Sequence, residues 1–253
     1  MTLLITGGAS GIGAETARLA AQRGHKVAIN YRSREARARN VVADIAANGG
    51  QAVALPADVS HEADISGLFD AAEQALGPIS HLVNSAGIGT SPTRVEDFDA
   101  GVLARLFAVN TVGLMLCCRE AARRMSTRRG GKGGVIVNVS SMAATIGGRP
   151  GASAYAASKA AVDSFTMGFA KEVAPEGIRA VSLRPGMIET EMTERTLADR
   201  EVRAAIESTI AMGRVGQAQE IANAILWLLS DEASFISGVT LDASGGGFVF
   251  GKR

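Results

Sequence analysis

Thr6-Gly-Gly-Ala-Ser-Gly-Ile-Gly13 is the stretch whose reading decides the fold. The apolar residues before it, 3–6, read as a buried strand, and the alanine-rich residues after it, 11–24, read as a helix. Gly7, Gly11 and Gly13 are separated by three residues and then by one, a spacing other than G-x-G-x-x-G. The physics is nonetheless similar. Glycines allow a tight turn and close backbone approach to a pyrophosphate, and the helix N-terminus offers N–H groups and positive potential. Gly7, Ser10, Gly11, Ile12 and Gly13 are therefore candidate dinucleotide contacts. No Gly-Lys-Ser/Thr follows, which excludes a P-loop, and Gly130-Gly-Lys-Gly-Gly134 fails the same test.

Working outward, short apolar runs alternate with longer amphipathic ones. Strands are predicted at 3–6, 26–31, 52–56, 81–84, 134–140, 179–184 and 239–242, with helices at about 11–24, 33–48, 61–76, 96–128, 153–174 and 217–230. This alternation predicts an α/β fold: a doubly wound parallel sheet of Rossmann type, about seven strands with helices on both faces. No Pro- or Ser-rich linker interrupts it, so residues 1–253 are expected to form a single domain. Residues 185–216 break the rhythm with charged helical material and no strand signal. A segment of this length leaving a strand's C-terminal end predicts a substrate lid at about 187–214.

Composition narrows the class. Hydrophobic residues make up 47% of 253, enough for a sizeable core, and the formal net charge of +1 gives no support for a nucleic-acid or polybasic membrane binder. No apolar run is expected to reach the ~18 residues of a membrane span, and no signal peptide is read at residues 1–5. The adjacent Cys117 and Cys118 read as buried thiols in a reducing cytoplasm. His25, His61 and His81 are scattered without metal-ligand spacing, so no metal is expected.

The chemistry is read from Ser141, Tyr155 and Lys159. Tyr155 and Lys159 lie one helical turn apart and project from one face. A neighbouring ammonium favours phenolate, so a lowered Tyr155 pKa and a proton-exchanging phenol are predicted. Ser141 follows the strand Val135-Ile-Val-Asn-Val139, where its hydroxyl could hydrogen-bond the oxygen that the phenol protonates; Ser140 is the alternative. The second strand ends at Asn30-Tyr31-Arg32-Ser33, with no acid before Glu35 to hold a ribose 2′-hydroxyl. Arg32, with Ser10 and Ser33 nearby, suits a 2′-phosphate instead, predicting NADP(H) over NAD(H). The plain alternative is a solvated basic helix face from Arg32 to Arg39.

Together these motifs resemble the short-chain dehydrogenase/reductase family over essentially the whole chain: Thr6-Gly-x-x-x-Gly-x-Gly13, Asn84-Ser-Ala-Gly87, Asn110, Ser141, Tyr155-x-x-x-Lys159 and Pro185-Gly186. The resemblance implies a nicotinamide-dependent oxidoreductase with Tyr155 as acid/base and Ser141 orienting a carbonyl. Lys159 would lower the phenol pKa and bond the nicotinamide ribose. Asn110 would hold a water linking Lys159 to solvent. The implied cofactor contacts continue through Tyr31, Arg32, Ser33, Asp58, Val59, Asn84, Ala86, Gly87, Tyr155, Lys159, Pro185, Gly186, Ile188 and Thr190. Asp58 would meet the adenine edge, and Ile188 and Thr190 the carboxamide. Position 85 is Ser where the family usually has Asn, and Asp242-Ala-Ser-Gly245 matches the usual ending only loosely. The family also implies a homotetramer or homodimer in the cytoplasm.

The predicted activity is hydride transfer between NADP(H) and a carbonyl or secondary alcohol. A 3-oxoacyl thioester, a sugar and an alicyclic ketone all fit as substrate. An enoyl reductase is disfavoured because its Tyr–Lys spacing is typically wider. The alternative from another class is a catalytically silent NADP(H)-binding regulatory protein, which would typically lack the Tyr or the Lys.

Overall fold

The computed structural model describes residues 1–247. In chain order the elements begin β1 (Thr2–Thr6), α1 (Gly11–Gln22), β2 (Lys26–Tyr31), α2 (Glu35–Ala47), β3 (Gln51–Pro56), α3 (Glu62–Leu76) and β4 (Ile79–Asn84). They continue α4 (Ala100–Phe107), α5 (Leu114–Met125), β5 (Gly134–Val139), α6 (Ala143–Ile146), α7 (Ser153–Val173) and β6 (Ile178–Pro185). The rest are β7 (Ile188–Glu189), α8 (Glu191–Leu197), α9 (Arg200–Glu207), β8 (Gly216–Gln217), α10 (Ala218–Leu229) and β9 (Thr240–Ala243).

Seven strands form one parallel sheet in the order β3-β2-β1-β4-β5-β6-β9. A strand covered on both faces can be apolar throughout, and β1 is buried at every residue. Successive side chains point to opposite faces. Leu3 and Ile5 accordingly enter the core shared with α1, α2 and α10, while Leu4 enters the core shared with α3, α5 and α7. The strand order reverses between β1 and β4, and ligands bind such sheets at that switch, beyond the strands' carboxyl ends.

The helix expected at 96–128 is α4 and α5 joined by a π-helical turn, Ala108–Gly113, which contains Asn110. The continuous helix Ala100–Met125 is long and apolar enough to cross a membrane by length and composition, contrary to the expectation that no run reaches that length. Its inner face explains the apolarity: Leu106, Val109, Leu114, Cys117, Cys118 and Ala121 are buried against the sheet and its neighbours. A core helix meets the same criterion. Val102 and Val112 stay about half exposed on its outer face.

The segment after β6 carries the predicted helical material as α8 and α9. It is anchored by the two-residue pair β7–β8, too short for any alternation to announce. Leu197, Ile206, Ile210 and Val215 are buried in a small core of their own, with Met187 against them, whereas Met192 is exposed. The first group thus packs the segment down, and Met192 faces the cleft beneath it.

Candidate active site

The loops after β1, β2, β3, β4, β5 and β6, with one face of α7, enclose a cleft of about 760 Å³. Gly7, Ser10, Gly11 and Ile12 line it from the first loop, Tyr31, Arg32 and Ser33 from the second, Asp58 and Val59 from the third, and Ala86 and Gly87 from the fourth. Ser141, Tyr155 and Lys159 form its far wall, and Pro185, Gly186, Ile188 and Thr190 its roof. Three predicted residues are not brought to the surface of the cleft: Gly13, Asn84 and Asn110.

The glycine loop is shaped for a group that must approach backbone. Gly7 has φ +68°, and a Cβ there would lie 2.7 Å from the Ala86 Cα, at the switch between β1 and β4. A Cβ on Gly13 would lie 2.5 Å from the Gly7 carbonyl, so its place is packing the turn on the helix. Ser10 precedes α1 without capping it, leaving both its hydroxyl and the first N–H groups of the helix facing the cleft. A cradle this close to backbone, at a helix N-terminus, fits the pyrophosphate of a dinucleotide.

At the far wall, Ser141 and Tyr155 both line the cleft, with the Ser141 hydroxyl near enough to the phenol to favour its charged form. Ser141 Oγ also accepts the Ala143 N–H at 3.1 Å, which fixes its rotamer and leaves its own proton free to donate. Ser140 is buried and donates to the Lys159 carbonyl at 3.1 Å, so its hydroxyl is turned back into the protein. Lys159 is 4% exposed, and its Nζ donates to the Val139 carbonyl at 2.9 Å.

The ionisation of this pair differs from the sequence expectation. Burial pushes the Tyr155 phenol up, and the neighbouring Ser141 hydroxyl opposes this only in part. Burial also pushes the Lys159 ammonium down, to about 8, against the attraction of Asp163. The lysine is thus itself desolvated and held by a carbonyl. Desolvation of the neutral phenol's charged form outweighs any help from it. Asp163 is in turn fixed by Ser182 at 2.6 Å and Arg184 at 2.8 Å, tying α7 to β6.

Asn110 is fully buried. Its carboxamide accepts the Ile88 N–H at 2.8 Å and donates to the Ile88 carbonyl at 2.9 Å and to Ser158 at 3.2 Å. The side chain therefore clamps the loop after β4 to α7. Asn84 donates to Asn138 at 2.9 Å, and Asn138 to Thr166 at 2.9 Å, a polar ladder inside the core. Its side chain is structural. Asp58 accepts from Arg105 at 2.8 Å and from Ser60; burial works to raise its carboxyl, but these bonds prevail and hold it at about 2.

Among the cleft residues unread in the sequence are Arg34 and Arg105. Arg34 donates to Ser10 Oγ at 3.1 Å and pairs with Glu191 of α8. Its signal was available: residues two apart in an extended segment face one side, so Arg34 follows Arg32. Arg105 had no such signal, because only the fold brings α4 to Asp58.

A family model described as enoyl-(acyl carrier protein) reductase matches residues 7–247. Uncharacterized oxidoreductase YgfF of Escherichia coli (strain K12) is 45% identical over 247 residues, covering 96% of this chain and 98% of its own. 3beta-hydroxysteroid dehydrogenase 1 of Eggerthella lenta is 40% identical over 257 residues, covering 99% and 97% respectively. Among solved structures, 3-ketoacyl-(acyl-carrier-protein) reductase from Brucella melitensis complexed with NADH matches at a TM-score of 0.87 and 36% identity, covering 97% of each chain.

Proposed function

The chain belongs to the short-chain dehydrogenase/reductase family, and from that premise we propose that it is an NADP(H)-dependent oxidoreductase interconverting a carbonyl and a secondary alcohol. The observation that carries this reading is that Ser141, Tyr155 and, one helical turn on, a buried Lys159 line one wall of a cleft floored by the glycine loop. Residues 1–253 act as one dinucleotide-binding domain, with residues 187–214 as the lid over the substrate.

Gly7, Gly11 and Ile12 would hold the pyrophosphate of the cofactor, Arg32, Ser33 and Asp58 its adenosine, and Pro185, Gly186, Ile188 and Thr190 its nicotinamide. When bound, the reduced nicotinamide supplies hydride to the carbonyl carbon. Tyr155 gives its phenolic proton to the carbonyl oxygen. Ser141 donates a hydrogen bond to the same oxygen and stabilises the charge developing there. Lys159 stabilises the phenolate left behind and holds the ribose. The Asn110 carboxamide is spent on Ile88 and Ser158, so a water relayed from Lys159 would use the main-chain carbonyl of the π-helical turn. The four-residue Tyr–Lys spacing favours C=O over C=C as the reducible bond.

A phenol raised by burial stays protonated through neutral pH, which suits donation in the reductive direction. Lys159 sets the alkaline limit. Its charge is present below about 8 and lost above it. Reductive kcat/KM is therefore expected to be flat below about pH 8 and to fall above it. The oxidative reaction needs both the phenolate and the ammonium that stabilises it, so it is expected to show the same loss above about pH 8. Initial-rate profiles in both directions check this.

The NADP(H) preference rests on Arg32 and Ser33 at the cleft, with Arg34 and Ser10 beside them and no carboxylate at residues 30–34. Arg32→Ala is expected to weaken NADPH roughly 10- to 100-fold, the worth of a charge-assisted contact, and to leave NADH unchanged. Equal or tighter NADH binding by the unaltered protein would refute the preference. The substrate is a small-molecule carbonyl or alcohol. A panel of 3-oxoacyl thioesters, sugars and alicyclic ketones, followed by NADPH absorbance, tests the activity; wild-type protein inert toward all of them while binding NADPH would favour a regulatory role.

Buried, unpaired Cys117 and Cys118, with thiols pushed up by desolvation, suit the cytoplasm. The exposed Val102, Val112 and Met167 on α4, the π-helical turn and α7 suit a homotetramer (or homodimer) built on these helices, which light scattering would report as a multiple of 26.0 kDa.

A further inference from the structure

Glu191 is the first residue of α8, directly after Thr190 in the roof of the cleft. Its carboxylate reaches across the adenosine end of the cleft and pairs with Arg34 and Arg37, 157 and 154 positions earlier by their numbers. Arg34 holds Ser10 Oγ with the same Nη1 atom. Arg37 lies in the first turn of α2, where a cation faces the positive end of the helix dipole and gains from a nearby anion. A lid carboxylate thus occupies the basic group beside Arg32 and Ser33, and lid and glycine loop are joined through it.

We infer that Glu191 is a cofactor-specificity residue: it holds the seat of the 2′-phosphate as an internal anion and must give up Arg34 when a 2′-phosphorylated dinucleotide binds. The inference rests on the cofactor site proposed above. The chemistry is an exchange of one anion for another. A phosphate dianion and the Glu191 carboxylate cannot both lie against one guanidinium without repelling each other, and the phosphate offers Arg the stronger bidentate partner. A dinucleotide with a free 2′-hydroxyl makes no such demand and leaves the Glu191 pairs in place. Glu191 therefore lowers the affinity for NADP(H) alone and narrows its advantage over NAD(H). The ion pairs are partly exposed, which bounds the effect to a several-fold change.

Isothermal titration of NADPH and NADH into wild type, Glu191→Gln, Glu194→Gln and Arg34→Gln tests this. Glu194 is exposed, one turn along the same helix and outside every ion pair among the described residues, so its variant removes equal lid charge without touching the seat. The expected result is that Glu191→Gln tightens NADPH about three- to five-fold with NADH unchanged, that Glu194→Gln changes neither, and that Arg34→Gln weakens NADPH. Glu191→Gln without effect on NADPH, or with an equal effect on both nucleotides, overturns the inference. The two readings fail separately. A wild type that binds NADH as tightly as NADPH refutes the NADP(H) preference, yet a selective NADPH gain in Glu191→Gln would still uphold the exchange.

Discussion

Replacing Tyr155 by Phe will cut carbonyl turnover by at least ~10²-fold and leave NADPH binding close to that of the wild type. The substitution deletes one oxygen and its proton and keeps the ring, so the wall of the cleft retains its shape. What disappears is the phenolic proton that Tyr155 presents beside Ser141 at that wall. Ser141 cannot replace it, because a serine hydroxyl is far too weak an acid to deliver a full proton. The loss should therefore appear in kcat and kcat/KM together, as expected for an interaction made in the transition state. Fluorescence titration with NADPH alongside initial rates separates the two effects. Near-normal turnover in this variant would remove Tyr155 from the chemistry.

The second large effect is expected at Lys159. Lys159→Met keeps the length and apolar stem of the side chain and removes the charge and its three donors. The Val139 carbonyl then loses its 2.9 Å partner, and any phenolate formed at Tyr155 loses the cation one helical turn along α7. Turnover should fall about 10²- to 10³-fold. Unlike Tyr155→Phe, this variant should also raise the KM for NADPH, because the ribose contact proposed for the ammonium would go with it. The alkaline fall in reductive kcat/KM, assigned to the group titrating at about 8, should vanish from its residual activity. Persistence of that limb would assign it to a different group.

Much of this arrangement could be read from the chain before any coordinates. The seven strands follow from apolar runs between helical patterns, because a sheet buried on both faces leaves a strand such as β1 no polar position. The glycine loop, Ser141, Tyr155 and Lys159 are legible because each depends on local geometry: a turn, a strand end, one helical pitch. The features that sequence reading missed or misjudged depend on contacts between distant segments. Asn84 sits among cleft-lining neighbours in the chain, but its side chain points into the core toward Asn138, 54 residues away. The pairing of Glu191 with Arg34 spans 157 residues. The direction of the Tyr155 shift was misjudged for a related reason. Four-residue spacing announces a neighbouring cation, but it says nothing of how deeply both groups are buried, and burial decides the sign.

The most direct test is a single turnover with NADPH already bound, using a carbonyl selected from the panel and comparing wild type with Tyr155→Phe. The account predicts that wild type oxidises its bound NADPH in one rapid phase on mixing, and that Tyr155→Phe, equally loaded, does so at least ~10²-fold more slowly. Equal rates in the two proteins would contradict it.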